Sequence, residues 1–295
     1  MSLKLAALAL CFSFFSQTGF ATTEILASKD VPANLQAGIF AEPIDHSGDL
    51  TQTFNQRFWI DSEYAVGENA PVLLRICGEG AGEDFLNDTT AVFAKKLGAH
   101  VIYLEHRYYG KSQPFNDLSA EHMKYLTLNN VIEDIATFQK WISKDRKING
   151  KWITTGGSYS GTISALYRFI HPALVVGALA ASAPMVSKPA HESNSDMDSL
   201  SSINVSDYED SGDRQWAYQA CSTFGFWMMM QGPYFLEPGG LLCDQLFGIK
   251  IRADKSAYNT NYYLPFISNT ANAPTHILFT NGTRDGWSKV IIDAA

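Results

Sequence analysis

The chain has 295 residues, 46% hydrophobic and 18% charged, the balance of a folded globule rather than a disordered or fibrous chain. Lys and Arg number 22 against 30 Asp and Glu, a formal net charge of −8. No basic run is present to follow a phosphate backbone, so no nucleic-acid partner is expected.

Residues 1–21 carry Lys4, an apolar run from Leu5 to Phe15 and the small-x-small pattern Gly19-Phe20-Ala21. They read as a secretory signal peptide. The run is shorter than the roughly 20 residues of a membrane span, and no later run reaches that length, so no membrane span is expected. The mature chain is expected to be exported, to a secreted, periplasmic or lysosome-like lumenal compartment. Beyond the signal stand Cys77, Cys221 and Cys243, an odd number where disulfides are permitted. One pair and one free thiol follow. Cys77 ends the apolar run Val72-Leu73-Leu74-Arg75-Ile76, where a thiol acts as a small buried hydrophobe, so the pair is read as Cys221 with Cys243. No Cys/His spacing resembles a metal site, and no cofactor is expected.

From Thr51 to Asp61 the sequence alternates as a strand does. Short, uniformly apolar runs then follow at Val72 to Cys77, Val101 to Leu104, Trp152 to Thr155, Leu174 to Ala180 and Ile277 to Thr280. Such runs fit strands covered on both faces of a mostly parallel sheet. Between them, Val131, Ile135, Phe138 and Ile142 form one helical stripe, and Ile163, Leu166 and Ile170 another. Residues 185–213 hold 8 Ser and 7 Asp or Glu with almost no apolar period, which reads as a polar linker. Arg214 to Gln231 reads as a further helix.

Trp152 to Gly161 spells WITTGGSYSG, an apolar strand, a tight small-residue turn and a helix start. This is the context of a nucleophile elbow. Small residues stand two before and two after the serine because strand and helix backbones nearly touch there, and the turn lifts the hydroxyl above the sheet. Gly156 and Ser160 meet that demand around Ser158. A nucleophilic serine also needs an acid, a base and oxyanion donors. Asp285, on a loop after the Ile277 to Thr280 strand, is the expected acid, at the carboxyl edge where sites collect in open α/β sheets. The Tyr159 and Gly78 amides are the expected oxyanion donors.

Several segments together resemble the prolylcarboxypeptidase and dipeptidyl peptidase II family of serine peptidases. Thr53 to Trp59 (TFNQRFW) resembles its TFxQRYW, Cys77 to Gly80 its GGEG, and Glu105 to Ser112 (EHRYYGKS) the same segment in the family. Gly156 to Gly161 resembles GGSYGG, Gly177 to Pro184 resembles GALASSAP, Trp216 to Cys221 resembles WxYQxC, and Asn281 to Trp287 resembles NGxxDPW. The resemblance implies an α/β-hydrolase fold with a mostly parallel sheet and helices on both faces. It implies Ser158 as nucleophile, Asp285 as triad acid, and peptides cleaved after proline near a chain end as substrates. Residues 22–184 and 214–295 would form the two parts of the hydrolase domain. Residues 185–213 would stand in place of the family's larger helical cap.

Departures accompany the matches. Ser160 replaces a glycine, Gly286 a proline and Thr223 a glutamate. The family's catalytic histidine follows its NGxxDPW segment, whereas no histidine follows Asp285 in this sequence. The chain therefore reads as truncated and catalytically impaired, since loss of one triad member removes several orders of magnitude in rate. A remnant that binds prolyl peptides without cleaving them, or a general esterase, are the alternatives.

Overall fold

The computed structural model describes residues 34–86, 88–186, 191–192, 212–224, 228–229, 243–244, 246–249, 258–268 and 275–282. The expected signal peptide, most of the polar linker and Asp285 lie outside the described residues.

Seven strands form one sheet. They are β1 (Gln36–Pro43), β2 (Thr53–Asp61), β3 (Val72–Ile76), β4 (His100–Leu104), β5 (Trp152–Gly157), β6 (Gly177–Ala181) and β7 (Ile277–Thr280). Their order in the sheet is β1-β2-β4-β3-β5-β6-β7. β2 runs antiparallel to β1 and β4, and all pairs from β4 to β7 are parallel. Every residue of β3 is buried, as continuous apolar runs require when helices cover both faces. The sequence reading lacked β1, whose mixed residues are mostly half-buried and show no clean alternation. It also began β6 too early, since Leu174 ends a turn and the strand starts at Gly177.

Four helices matter to the site: α1 (Thr89–Leu97), α2 (Leu128–Asp145), α3 (Tyr159–Ile170) and α4 (Asp213–Gln219). The Thr127 side chain caps α2, accepting from the Asn130 N–H, which satisfies one of the orphan donors of the first turn. Val131, Ile135, Phe138 and Ile142 pack into the main core with Phe58, Leu74, Ile102 and Ile163. Ile163 and Leu166 are buried on α3, but Ile170 at its end is 38% exposed, so that expected stripe stops one turn early. The helix expected over Arg214 to Gln231 is shorter. It gives way to a π turn over Ala220–Phe224, and Met228–Met229 pairs instead with His191–Glu192 in a two-residue ladder. Cys221 and Cys243 are joined by a disulfide, and Cys77 is free and buried.

Among the described residues no helix is long and apolar enough to cross a membrane. Arg107, Asp134, Glu42 and the partly buried His46 form a charge cluster. Arg107 donates Nε to Asp134 Oδ2 at 2.6 Å, and His46 Nε2 lies 2.7 Å from Asp134 Oδ1 and 3.3 Å from Glu42 Oε1. Burial, and then the charge of Asp134, push the Glu42 carboxyl up to about 8. Burial opposes charge on His46, but its bond to Asp134 and the nearby Glu42 carboxyl outweigh that and raise it to about 9 from 6.5. Both folded-state values lie above the unfolded ones, so the folded cluster holds a proton that the unfolded chain releases. Its contribution is present at low pH and fades as pH rises through these values. The urea midpoint is therefore expected to fall from pH 6.5 to pH 9, and Glu42→Gln to flatten that slope. An equal slope in the variant would remove the cluster as its cause.

Candidate active site

Ser158 sits between β5 and α3, at the carboxyl end of a strand flanked by β3 and β6. Its backbone has φ 54° and ψ −132°, a region that costs of order 1–3 kcal/mol for a residue with a side chain. The surroundings hold it there. Ser158 N–H donates to the Ala181 carbonyl of β6 at 2.8 Å, and the Ser158 carbonyl accepts from Gly161 and Thr162 N–H at 2.9 and 3.2 Å. This is the strained strand-to-helix turn that presents a serine hydroxyl above a sheet. Ser158 is half-buried.

The glycines explain the local sequence. A Cβ on Gly156 would lie 2.1 Å from the Ser160 carbonyl oxygen and 2.7 Å from the Gly161 nitrogen. The strand therefore crosses the helix backbone with no room for a side chain. Ser160, which departs from the family's glycine, has space. Its hydroxyl donates to the Gly157 carbonyl at 2.8 Å and accepts from Gly157 N–H at 3.1 Å and Arg75 Nη1 at 3.3 Å.

The expected oxyanion donors come from two adjoining elements. Tyr159 N–H is the first of α3, one of the donors left without an intrahelical acceptor, at the positive end of the helix dipole. Gly78 follows β3, and a Cβ on it would stand 3.6 Å from the Ser160 side chain, which puts the loop after β3 against the elbow. Glu79, next in that loop, is a half-buried carboxyl. Burial pushes it up to about 7, with Arg75 pulling the other way. The loop continues into a 3-10 turn over Gly82–Phe85, where Gly82 N–H donates to Glu105 Oε1 at 2.7 Å. Glu105 is fully buried and also holds Arg57 Nε at 2.8 Å and Ser112 Oγ at 2.6 Å.

β7 pairs with β6 so that Thr280 lies opposite Ala181, the residue that accepts from Ser158 N–H. The strand before the Asp285 loop thus ends at the same edge of the sheet as Ser158; Asp285 itself lies outside the described residues. His106 is buried beneath the elbow, with Nδ1 2.6 Å from the Arg107 carbonyl and Nε2 3.0 Å from Tyr159 Oη. Both nitrogens are engaged away from Ser158. His276 opens β7 at the opposite end, and His171 ends α3 against Glu133. Among the described residues, none of these histidines bonds to the Ser158 hydroxyl.

Sequence reasoning assigned no role to Arg75 or Gln219. A lone arginine in an otherwise apolar strand was the available signal for the first. The second lies in the quoted WxYQxC-like segment, and both its amide atoms are bonded near the elbow.

The strand order and the strained serine at a helix N-terminus define an α/β-hydrolase. The chain belongs to the serine carboxypeptidase S28 family, whose model matches residues 43–194 and 186–294. It is 40% identical over 154 residues to the probable serine protease EDA2 of Arabidopsis thaliana, covering 49% of this chain and 32% of that protein. It is 36% identical over 163 residues to the human lysosomal Pro-X carboxypeptidase, covering 52% of this chain and 33% of that one. The chain thus spans about a third of the length of these relatives. Among solved structures, the hyperthermophilic esterase from Pyrobaculum calidifontis aligns at 16% identity with a TM-score of 0.36, covering 58% of this chain and 50% of that one.

Proposed function

We propose that this chain carries the nucleophile side of a serine exopeptidase site that cleaves peptides after proline near a chain end. Ser158 is the nucleophile, Asp285 the acid, and the Tyr159 and Gly78 amides receive the oxyanion. The observation that supports the reading is the strained Ser158 backbone at the N-terminus of α3. That backbone stands at the carboxyl end of β5, next to the first N–H of α3, a donor of the kind that stabilises developing negative charge. The proline preference is proposed by analogy, supported by the likeness to a Pro-X carboxypeptidase in the same family. The disulfide agrees with action in an exported or lumenal compartment. The polar stretch 185–213 is read as standing where a cap would cover the site.

In this reading the serine has no base among the described histidines, so its hydroxyl stays weakly nucleophilic. A polypeptide of these 295 residues is expected to turn over prolyl peptides slowly, with added imidazole raising the rate by acting as a base. Peptides blocked at the amino or the carboxyl end, read by product mass, distinguish release of a carboxy-terminal residue from release of an amino-terminal dipeptide. Hydrolysis of short acyl esters in preference to every prolyl peptide would overturn the peptidase reading. Tight binding of prolyl peptides with no cleavage, even with imidazole, would reduce the site to a binding cleft.

A further inference from the structure

We propose that Gln219 is a positioning residue, which through a one-way chain of hydrogen bonds fixes the Tyr159 ring and with it the helix turn that presents the Tyr159 amide. The proposal rests on the reading of that amide as an oxyanion donor. Gln219 ends α4, 60 residues beyond Tyr159 in sequence, and reaches the elbow from the far side of the polar stretch 185–213.

Each link of the chain dictates the next. Tyr109 Oη lies 2.6 Å from Gln219 Oε1. A carbonyl oxygen only accepts, so the phenol donates. The other amide atom, Gln219 Nε2, lies 2.6 Å from Tyr159 Oη and donates to it. Tyr159 Oη, now an acceptor, has one hydrogen left, and it points to His106 Nε2 at 3.0 Å. That nitrogen must therefore carry a lone pair, which places the ring hydrogen on Nδ1, and Nδ1 donates to the Arg107 carbonyl at 2.6 Å. Four consecutive bonds run in one direction, from Tyr109 to the backbone after β4.

The surroundings exclude water from this chain. Gln219 and Tyr159 are fully buried, Tyr109 is 1% exposed and His106 3%. Burial also keeps the imidazole neutral, pushed down to about 4, as its role as acceptor requires. Without Gln219, the Tyr109 and Tyr159 hydroxyls would each lose a buried partner with no solvent to replace it. The Tyr159 ring also packs against Trp216 and Phe224, on either side of Gln219 in sequence. The segment after the polar stretch thus grips the residue that follows the nucleophile. The same chain removes His106 from the list of bases, because neither ring nitrogen is free.

The test is nitrogen-15 NMR of the His106 ring and of the Tyr159 backbone amide in the full chain, for the parent, Gln219→Leu and Gln219→Glu. In the parent at neutral pH, Nε2 is expected unprotonated and Nδ1 protonated. Gln219→Leu is expected to move the Tyr159 amide resonance and to speed its hydrogen exchange about ten-fold, as the first turn loosens. Gln219→Glu reverses the two middle links of the chain. The introduced carboxylate accepts from both phenols, so His106 must donate from Nε2 as well as Nδ1 and become an imidazolium at pH 7, while the Tyr159 amide returns towards its parent position. A residue that merely fills space predicts the opposite order, with the buried charge of Gln219→Glu disturbing the amide more than Gln219→Leu and leaving His106 neutral. That order, a parent His106 protonated on Nε2, or an amide unmoved in Gln219→Leu would each overturn the proposal. Absence of any fluorophosphonate adduct at Ser158 in all three proteins would instead sink the peptidase reading, and the NMR signatures would still report on the chain.

Discussion

Gly156→Ala is expected to cost about 3 kcal/mol or more, enough to unfold a marginal domain. The added Cβ would lie 2.1 Å from the Ser160 carbonyl oxygen, 2.3 Å from its carbon and 2.7 Å from the Gly161 nitrogen. All three atoms are backbone, so none can swing aside as a side-chain tip would. Relief requires β5 and α3 to separate, which opens the contact between this strand and the helix that carries Tyr159. The neighbouring glycine supplies the control. A Cβ on Gly157 would meet only the Ala181 carbonyl oxygen at 3.9 Å, ordinary contact, so Gly157→Ala is expected to change stability by less than about 1 kcal/mol. Urea denaturation of both variants gives the comparison, and equal losses would show that the elbow is looser than its geometry implies.

The second large effect is expected at Glu105. Its carboxylate holds both Arg57 Nε and Nη2, the Ser112 hydroxyl and the Gly82 N–H. Glu105→Ala takes from the 1%-exposed Arg57 guanidinium its fully buried carboxylate partner, and the Glu83 carboxylate that stays at 2.5 and 2.7 Å lies at the rim. Removing one partner of a buried ion pair costs about 3–5 kcal/mol, because the other charge stays buried. The 3-10 turn over Gly82–Phe85 also loses its anchor, which loosens the loop that carries Gly78 and Glu79. Glu83→Ala, at the edge of the same network, is expected to cost only about 1 kcal/mol. A Glu105→Ala loss no larger than that of Glu83→Ala would mean that the network contributes nothing beyond its rim.

Much of the fold was legible because its parallel strands are short apolar runs. Val72 to Ile76 is buried on both faces as expected, whereas Ile277 to Thr280, at the edge of the sheet, alternates half-buried and exposed residues, with Leu278 62% exposed. The edge strand β1 was not legible, since Gln36–Pro43 pairs on one side only and carries no alternation of its own. The helix after the polar stretch was overextended for a related reason. The Trp227-Met228-Met229-Met230 run looks helical by hydrophobicity, but β-ladder pairing with His191–Glu192 at Met228–Met229 is set by a remote segment. At the site, Ser158 was legible because small residues at fixed offsets have a steric cause. Gln219 and Glu105 were not. Their roles depend on which hydroxyls and guanidinium groups face them across the fold, and spacing along the chain carries no trace of that.

Reaction of the purified polypeptide with a fluorophosphonate, beside Ser158→Ala, tests the central claim most directly, because the probe reports an activated serine at the elbow. The account predicts slow labelling confined to Ser158, absent in the variant and accelerated by imidazole. Labelling that persists in Ser158→Ala would contradict it, and the strained serine at the head of α3 would then not be the nucleophile.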